Sequence, residues 1–548
     1  MRVSPAWWMF VPALCLMGAA CSKKTVVSAS APTRSRLSGE PAILRAVSAA
    51  ENGLTYRWAI PGKRPLDILQ TIGNGVAFLD ANGDGNLDIL LVGSPTKLFL
   101  GDGKGKFTDA TATMLPKGLS DHFLGCAVGD YDNDGFPDIY LSAYNGGRLL
   151  HNVQGKRFDD VTERAGLPKQ PWGTSCAFFD ANGDGLLDLY IGNYVAFGPG
   201  STRLCSDGTL STSCGPRHYN PYMGRLYLQG PVGHFQPTVL PKTSGKVLGV
   251  AVAPPHADRP MQIAVSNDEM PGDLLVRGKG GWLNQSDIAG TAFDGTGGLH
   301  GGMGEDWGDV NEDGILDLFV CTFQNEDKCL YVAEPGGIYS ERSQRMGLKA
   351  TFPFVSFGCK FFDFDNDGRL DLLVANGHVQ SNAAEIAAGV TYRQPVQLFQ
   401  NQADHTFVDR TSSLDVKGRE QLVGRGLCVG DYDNDGRVDA LVVDSEGEPL
   451  LLHNEAAKVG NWLSLELVGT GRSNRDAYGA TVIVETAGRK LLRYCHSDGS
   501  YLSASDKRIH VGLAGALAAR VTIKWPDGKR QVLASLKANK FYRIEEKK

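Results

Sequence analysis

The sequence is short of the residues and patterns that most function classes need. Only 11 of its 548 residues are cysteine, and none of their spacings suggests a zinc ligand set, which argues against a cysteine-bound zinc-stapled fold. The net charge is only −6 and no basic stripe runs through the chain, so nucleic acid is excluded as a partner. Beyond the first twenty residues no stretch is long and apolar enough to span a bilayer. There is no serine-hydrolase elbow and no phosphate-binding glycine loop. What the chain does have is 68 glycines and 42% hydrophobic residues, the balance of a turn-rich β protein too long for one ordinary domain.

The stretch Asp130-Tyr-Asp132-Asn-Asp134-Gly135-Phe136-Pro-Asp138 organises the rest. Side-chain oxygens fall at positions 1, 3, 5 and 9, with glycine at 6 to turn the loop. Oxygen donors this dense suit a hard cation of high coordination number, which points to Ca²⁺. The loop recurs at Asp80/Asn82/Asp84/Asp88, Asp180/Asn182/Asp184/Asp188, Asp309/Asn311/Asp313/Asp317, Asp363/Asp365/Asp367/Asp371 and Asp431/Asp433/Asp435/Asp439. Position 7 varies freely (Asn86, Phe136, Leu186, Ile315, Arg369, Arg437), as expected where only the backbone carbonyl binds. About six Ca²⁺ sites are expected. Around a third of the 61 acidic residues sit in these clusters and repel one another without metal. An EF-hand would need glutamate at position 12; here that residue is Leu91, Leu141, Ile191, Val320, Val374 and Val442, inside strand-like runs. These are strand–loop–strand sites.

The gap between the loops at Asp180 and Asp309 holds one more repeat. Gly249-Val-Ala-Val252 and Ile263-Ala-Val-Ser-Asn-Asp268 match the flanking strands, but the loop between them keeps only Asp258 and has Arg259 in place of glycine. Seven repeats result, one without metal. The first six end in an aromatic anchor: Phe107, Phe158, Phe235, Trp282, Tyr339 and Phe407 in successive repeats. Four short strands per repeat of fifty residues or more predict an all-β fold, a seven-bladed β-propeller over 51–458 followed by a small β-sandwich-like domain over 459–548. Leu54-Thr-Tyr-Arg-Trp58 is the expected closing strand of the seventh blade. Insertions at Tyr194–Tyr227 and His378–Gln397 mark candidate binding loops.

At the N-terminus, Arg2, an apolar run to Ala20 and then Cys21-Ser-Lys-Lys24 predict a signal peptide over 1–21, with 22–50 as a flexible tether. Gly18-Ala-Ala-Cys21 resembles a bacterial lipobox, which implies lipidation at Cys21. The membrane would then be reached only through that anchor, on a protein exported to the cell envelope, at the outer membrane, or secreted. Export permits disulfides, and Cys205/Cys214 and Cys321/Cys329 are the expected pairs. Cys126, Cys176 and Cys359 precede their loops by four residues and read as small buried apolar residues.

The loops resemble FG-GAP/VCBS repeats, the calcium-binding blades of integrin α-subunit propellers. Ser473-Asn-Arg-Asp476-Ala-Tyr-Gly479-Ala480, Gly499-Ser-Tyr501-Leu-Ser-Ala-Ser-Asp506 and Trp525-Pro-Asp-Gly528 look like the ASPIC/UnbV domain. The combination resembles bacterial relatives of cartilage acidic protein over nearly all of the mature chain. That resemblance implies an extracytoplasmic calcium-binding propeller.

Two functions fit. In the first, Ca²⁺ stiffens one face while the opposite loops or the central channel bind a glycan or protein ligand, as in an adhesion module; no residue is then catalytic. Four side chains, a carbonyl and a water complete each shell, with affinity on the order of 10⁻⁴–10⁻³ M as in extracellular modules. In the second, the chain is a lyase or hydrolase acting on polysaccharide, with His122, His218, His300, Glu305 and His378 as acid/base candidates.

Overall fold

A computed structural model describes residues 43–457 and 459–547. The expected signal peptide, Cys21 and the first part of the tether lie outside the described residues.

The strands that flank each loop pair as antiparallel hairpins, because alternate side chains bury against two neighbouring sheets and leave the acidic loop at one end. Seven four-stranded units follow. They begin at Val76, His122, Gln170, Val247, Glu305, Ser356 and Gly424, and we number them blades 1 to 7 in that order. Their first strands touch in a closed cycle, blade 7 meeting blade 1. The fold is therefore a β-propeller. Blades 2 and 3 are also joined edge to edge, Trp172 pairing with Tyr144. The metal-less repeat is a complete blade: Val247–Ala253 pairs with Gln262–Asn267. Where the other blades carry a carboxylate loop, this one buries His256 and Arg259. Arg259 stacks over Tyr339 of the next blade and donates to the Glu334 carbonyl at 2.7 Å.

The seam of the ring differs from the expectation. Leu44–Val47, not Leu54–Trp58, is the strand that pairs with Leu450–Asn454. The segment 54–58 cannot join a ladder because its first amides turn back locally, Thr55 N to Gly53 O and Tyr56 N to Leu54 O. It instead straps blade 7 to blade 1, with Trp58 Nε1 donating to the Val92 carbonyl at 2.8 Å. The propeller's own elements begin before the expected boundary at 51: Ser48 caps a short helix over Ala49–Asn52.

Cys205 and Cys214 form a disulfide. Cys321 and Cys329 do not; both are free and buried. The register explains why. Val320 stands opposite Cys329, so Cys321, one residue on, faces the other side of the sheet. The two thiols accordingly belong to different core clusters.

After blade 7 the chain builds two sheets, one of three strands containing Asn461–Val468 and one of four containing Thr481–Thr486. Their facing sides share one core, with Leu465, Val482, Val521 and Trp525, and that core continues into Ala127, Tyr140 and Leu189 of blades 2 and 3. The second domain is thus docked on the propeller. Residues 498–506 leave it and enter the middle of the ring. Ser500 exchanges backbone hydrogen bonds with Glu305 of blade 5, and Ala504 with Val76 and Phe78 of blade 1. Cys126 N of blade 2 donates to the Leu502 carbonyl, Leu502 N to Ser175 Oγ of blade 3, and Val252 N of blade 4 to Asp498 Oδ2. Tyr501 packs on Phe357 of blade 6, and Asp506 N donates to the Val429 carbonyl of blade 7. Every blade is touched. The expected ligand surface in the central channel is therefore filled by the chain itself.

The other end is covered too. The disulfide-pinned hairpin Leu204–Ser213 of blade 3 reaches the insertion of blade 6, where Ser213 N donates to Gln380 Oε1 at 2.8 Å and Gln380 Nε2 returns to Ser213 O at 3.0 Å. Arg203 pairs with Asp67 at 2.7 Å, ahead of blade 1.

Candidate metal centres

All six loops share one backbone wiring. At position 1, one carboxylate oxygen accepts from the position-5 amide (Asp134 N to Asp130 Oδ1, 3.0 Å) and the other from the glycine amide (Gly135 N to Asp130 Oδ2, 2.8 Å). The same pair of bonds recurs at Asp80, Asp180, Asp309, Asp363 and Asp431. Two residues per loop take left-handed backbone, the glycine at 6 and the residue at 4. Position 4 is Gly83, Asn133, Gly183, Glu312, Asn366 and Asn434. Glycine or asparagine there is a recurring signal that attention to the carboxylates alone passes over.

Position 9 ties each loop to its blade. Its Oδ2 accepts the position-2 amide. Its Oδ1 accepts an amide from the third strand, at 2.7 to 2.8 Å in every loop. The third strand supplies a second link that the sequence reading missed. Asn152, Gln229, Asn401 and Asn454 each send a side-chain amide to the position-2 carbonyl of the preceding blade's loop, at 2.8 to 2.9 Å. An amide residue at the same place after four of the six loops was the available clue.

Burial sets the electrostatics. Asp88, Asp138 and Asp188 are pushed up to about 7 chiefly by desolvation, and the neighbouring loop carboxylates push the same way. Asp130 goes to about 8, by burial and then by Asp476. A divalent cation at the centre would reverse this by favouring the charged forms. The donor sets fit one: in blades 2, 6 and 7, one oxygen from each of positions 1, 3 and 9 lies within 4.8 Å of the others.

The oxygens of positions 1, 3 and 9 thus come together in blades 2, 6 and 7, and the loops with asparagine at position 3 add a contact of their own. In blades 1, 3 and 5 position 3 is an asparagine, and its side-chain amide donates to the position-5 carboxylate. Asn82 reaches Asp84 at 3.0 Å, Asn182 reaches Asp184 at 2.8 Å, and Asn311 reaches Asp313 at 2.9 Å. Asp84, Asp184 and Asp313 lie at the exposed tip of the loop, as Asp134 and Asp435 do in blades 2 and 7. Asn82, Asn182 and Asn311 meanwhile use their own oxygens to accept the position-5 backbone amide, at 2.9 to 3.1 Å. In blade 6 the position-5 residue Asp367 pairs with Arg369 at 2.8 Å and stands outside the group formed by Asp363, Asp365 and Asp371. At position 5, only Asp134 and Asp435 join a close group, each with a histidine.

The C-terminal domain covers this face with cations. Arg489 pairs with Glu312 (Nε to Oε2, 2.9 Å), Arg493 donates to the Gly368 carbonyl, and Arg508 to the Asp431 carbonyl. Arg475 N donates to Asn133 Oδ1 and Asp476 accepts from Asp130 N. The motifs 473–480 and 499–506 are thus the pieces that fasten the domain to the loops and the channel.

The acid/base candidates do not converge. His122 and His218 are exposed at separate places, while His300 and His378 are buried. His378 Nδ1 accepts from Gln380 N at 2.9 Å, a turn contact. His300 and Glu305 share an enclosed space with Ser266 and Thr291 that is no larger than a water molecule. Burial holds His300 at about 4 and raises Glu305 to about 8.

Comparison with known proteins agrees with this architecture. The family described as FG-GAP-like repeat matches residues 80–141, 130–191, 309–374 and 363–442, and the family described as ASPIC and UnbV matches 469–548. The chain is 24% identical over 485 residues to cartilage acidic protein 1 of Xenopus tropicalis, covering 83% of this chain and 70% of that protein. It is 25% identical over 490 residues to the Homo sapiens protein of that name, covering 83% and 69%. Among solved structures, BBS1N crystallised with ARL6DN and soaked with lead aligns over 77% of this chain and 99% of its own at 11% identity and a TM-score of 0.39. A lectin of Agrocybe aegerita that recognises non-reducing terminal N-acetylglucosamine aligns over 70% and 80%, at 14% identity and a TM-score of 0.26. At these TM-scores neither bears on what this chain binds.

Proposed function

From a chain that joins FG-GAP-like repeats to an ASPIC/UnbV domain and is homologous to cartilage acidic protein 1 across most of its length, we propose a calcium-binding propeller that acts as a binding module for a glycan or protein outside the cytoplasm. Ca²⁺ is its structural ion, held by Asp80, Asp130, Asp180, Asp309, Asp363, Asp431 and their loop partners. The reading is carried by one observation: the carboxylates at positions 1 and 9 are spent on the loops' own backbone amides, and the channel is filled, so the free surface is outside. On the face away from the loops, the blade 3 insertion presents Leu204, Tyr222 and Met223, among the exposed large apolar residues, beside His218. No helix among the described residues is long and apolar enough to cross a membrane, and export with a lipid anchor at Cys21 remains part of the proposal. The enzyme alternative lacks support in the geometry, because its candidate groups are scattered or enclosed.

The test is to incubate the chain with a panel of polysaccharides and cell-envelope fractions, with Ca²⁺ or with chelator. Calcium-dependent retention without products is expected. New saccharide ends or unsaturated products would overturn the binding reading.

A further inference from the structure

Two of the six loops carry a donor that the others lack. His151, on the third strand of blade 2, places Nδ1 3.3 Å from Asp132 Oδ2 and 3.2 Å from Asp138 Oδ1. His453, at the same place in blade 7, puts Nε2 3.0 Å from Asp433 Oδ2 and 3.8 Å from Asp435 Oδ2. In each blade one atom from the histidine and one from each of the position-3 and position-5 aspartates lie within 4.8 Å of one another. In blade 7 the second oxygen of the position-3 residue, Asp433 Oδ1, is enclosed without a hydrogen-bond partner. The equivalent of the histidine is Leu100, Leu228, Val332 and Gln400 in blades 1, 3, 5 and 6. Gln400 donates to Asp365 Oδ2 at 2.7 Å, and its side-chain oxygen is turned to Arg410 Nε at 2.9 Å.

We infer that blades 2 and 7 form a second class of metal site, in which an imidazole nitrogen joins the carboxylates and selects a first-row transition ion over Ca²⁺. The inference rests on the reading that the loops hold divalent cations and revises it at Asp130 and Asp431, leaving Ca²⁺ to the other four loops. Its chemistry is that imidazole suits zinc, copper, iron and nickel, whereas an all-oxygen set suits calcium; Mn²⁺, which takes either donor, serves as the spectroscopic probe. Its geometry is that neighbouring donors bound at about 2.1 Å stand about 3 Å apart, close to the spacings found. Calcium, bound at about 2.4 Å by six to eight oxygens, gains nothing from a nitrogen. In blade 7 the other nitrogen, Nδ1, makes no hydrogen bond, but it lies 3.5 Å from Glu455 Oε1. Arg45 holds that carboxylate at 2.6 Å, placed to become the outer partner a metal-bound imidazole commonly has.

The experiment uses the full chain, stripped with chelator and refilled with Mn²⁺ or Ca²⁺. Metal content is measured, and nitrogen-14 modulation of the Mn²⁺ spin echo reports imidazole ligation directly. Mn²⁺ at two sites is expected to show the modulation and to resist displacement by excess Ca²⁺. The H151L/H453L double variant places in blades 2 and 7 the leucine that blades 1 and 3 already carry. It should lose the modulation and bind Mn²⁺ at least tenfold more weakly, with Ca²⁺ uptake by the other loops unchanged. Mn²⁺ bound without nitrogen modulation, or modulation that survives in the variant, overturns the inference and leaves the histidines as hydrogen-bond tethers. Failure to take up either ion overturns the parent reading instead.

Discussion

The ninth residue of each loop has both carboxylate oxygens engaged by backbone amides, before any ion is considered. Asparagine cannot replace it: one side of the amide would turn N–H against N–H. Asp188→Asn should therefore cost about 1–3 kcal/mol even in chelator, the usual loss for a buried donor left unsatisfied. Asp132→Asn should cost far less, because position 3 is already asparagine in three loops. Denaturant melts of both variants in chelator decide the comparison. Glu305 offers a pH test away from the loops. Its ordinary value is 4.5, and burial raises it to about 8 in the folded protein. Between those values the folded chain keeps a proton that the unfolded chain loses, so stability falls as pH rises through that window and is flat above it. The buried loop carboxylates add a decline over the same window without metal, so the comparison is made with Ca²⁺ present. Glu305→Gln should make the fall in melting temperature between pH 5 and pH 8 shallower than in the parent chain, and an unchanged slope would mean that Glu305 is ionised. The carboxylates were legible because a ligand must face the ion and so repeats at fixed spacing. The side-chain bonds around them were not, since spacing does not show that Asn82 donates to Asp84 or that Arg369 pairs with Asp367. Glu305 and His300 were legible only as residue types. Their enclosure depends on packing between two blades that no local pattern announces.

At the scale of elements, the strand–loop–strand repeat was readable because both faces of every strand are buried and the loop between them is acidic. The metal-less blade was readable for the same reason, since its strands kept their apolar runs when its loop lost its carboxylates. The seam strand was not. Ile43-Leu-Arg-Ala-Val47 sits at the end of a Ser- and Ala-rich stretch, while 54–58 has the more strand-like composition. What decides is the partner: Leu44–Val47 meets an open edge and 54–58 does not. A chain beginning at Ile43 should melt like the longer one. A chain beginning at Glu51 exposes the strand Leu450–Asn454 and should self-associate, which light scattering would detect. The disulfide pairs divide on similar grounds. A short hairpin brings Cys205 and Cys214 to one side, whereas a one-residue offset sends Cys321 and Cys329 to opposite faces, a distinction that depends on register and not on separation.

Across the whole molecule, the propeller and the C-terminal domain are one cooperative body, since the second fills the first and neutralises its acidic loops. Ending the chain at Ala457 should strand amides at Phe78, Cys126, Val252, Glu305 and Val429 inside the ring, and yield a dye-binding, loosely packed propeller in place of a stable one. Two separate thermal transitions in the intact chain would contradict this. Arg45 and Glu455, in contact across the seam, are 410 residues apart in sequence. The strand made first therefore waits for the blade made last, and the central segment arrives later still. Such distant pairings fold slowly, because loop closure precedes any gain from contact. During synthesis the chain thus has no closed intermediate, and its exposure to proteases should be set by the time to full length plus ring closure, not by the stability of any single blade.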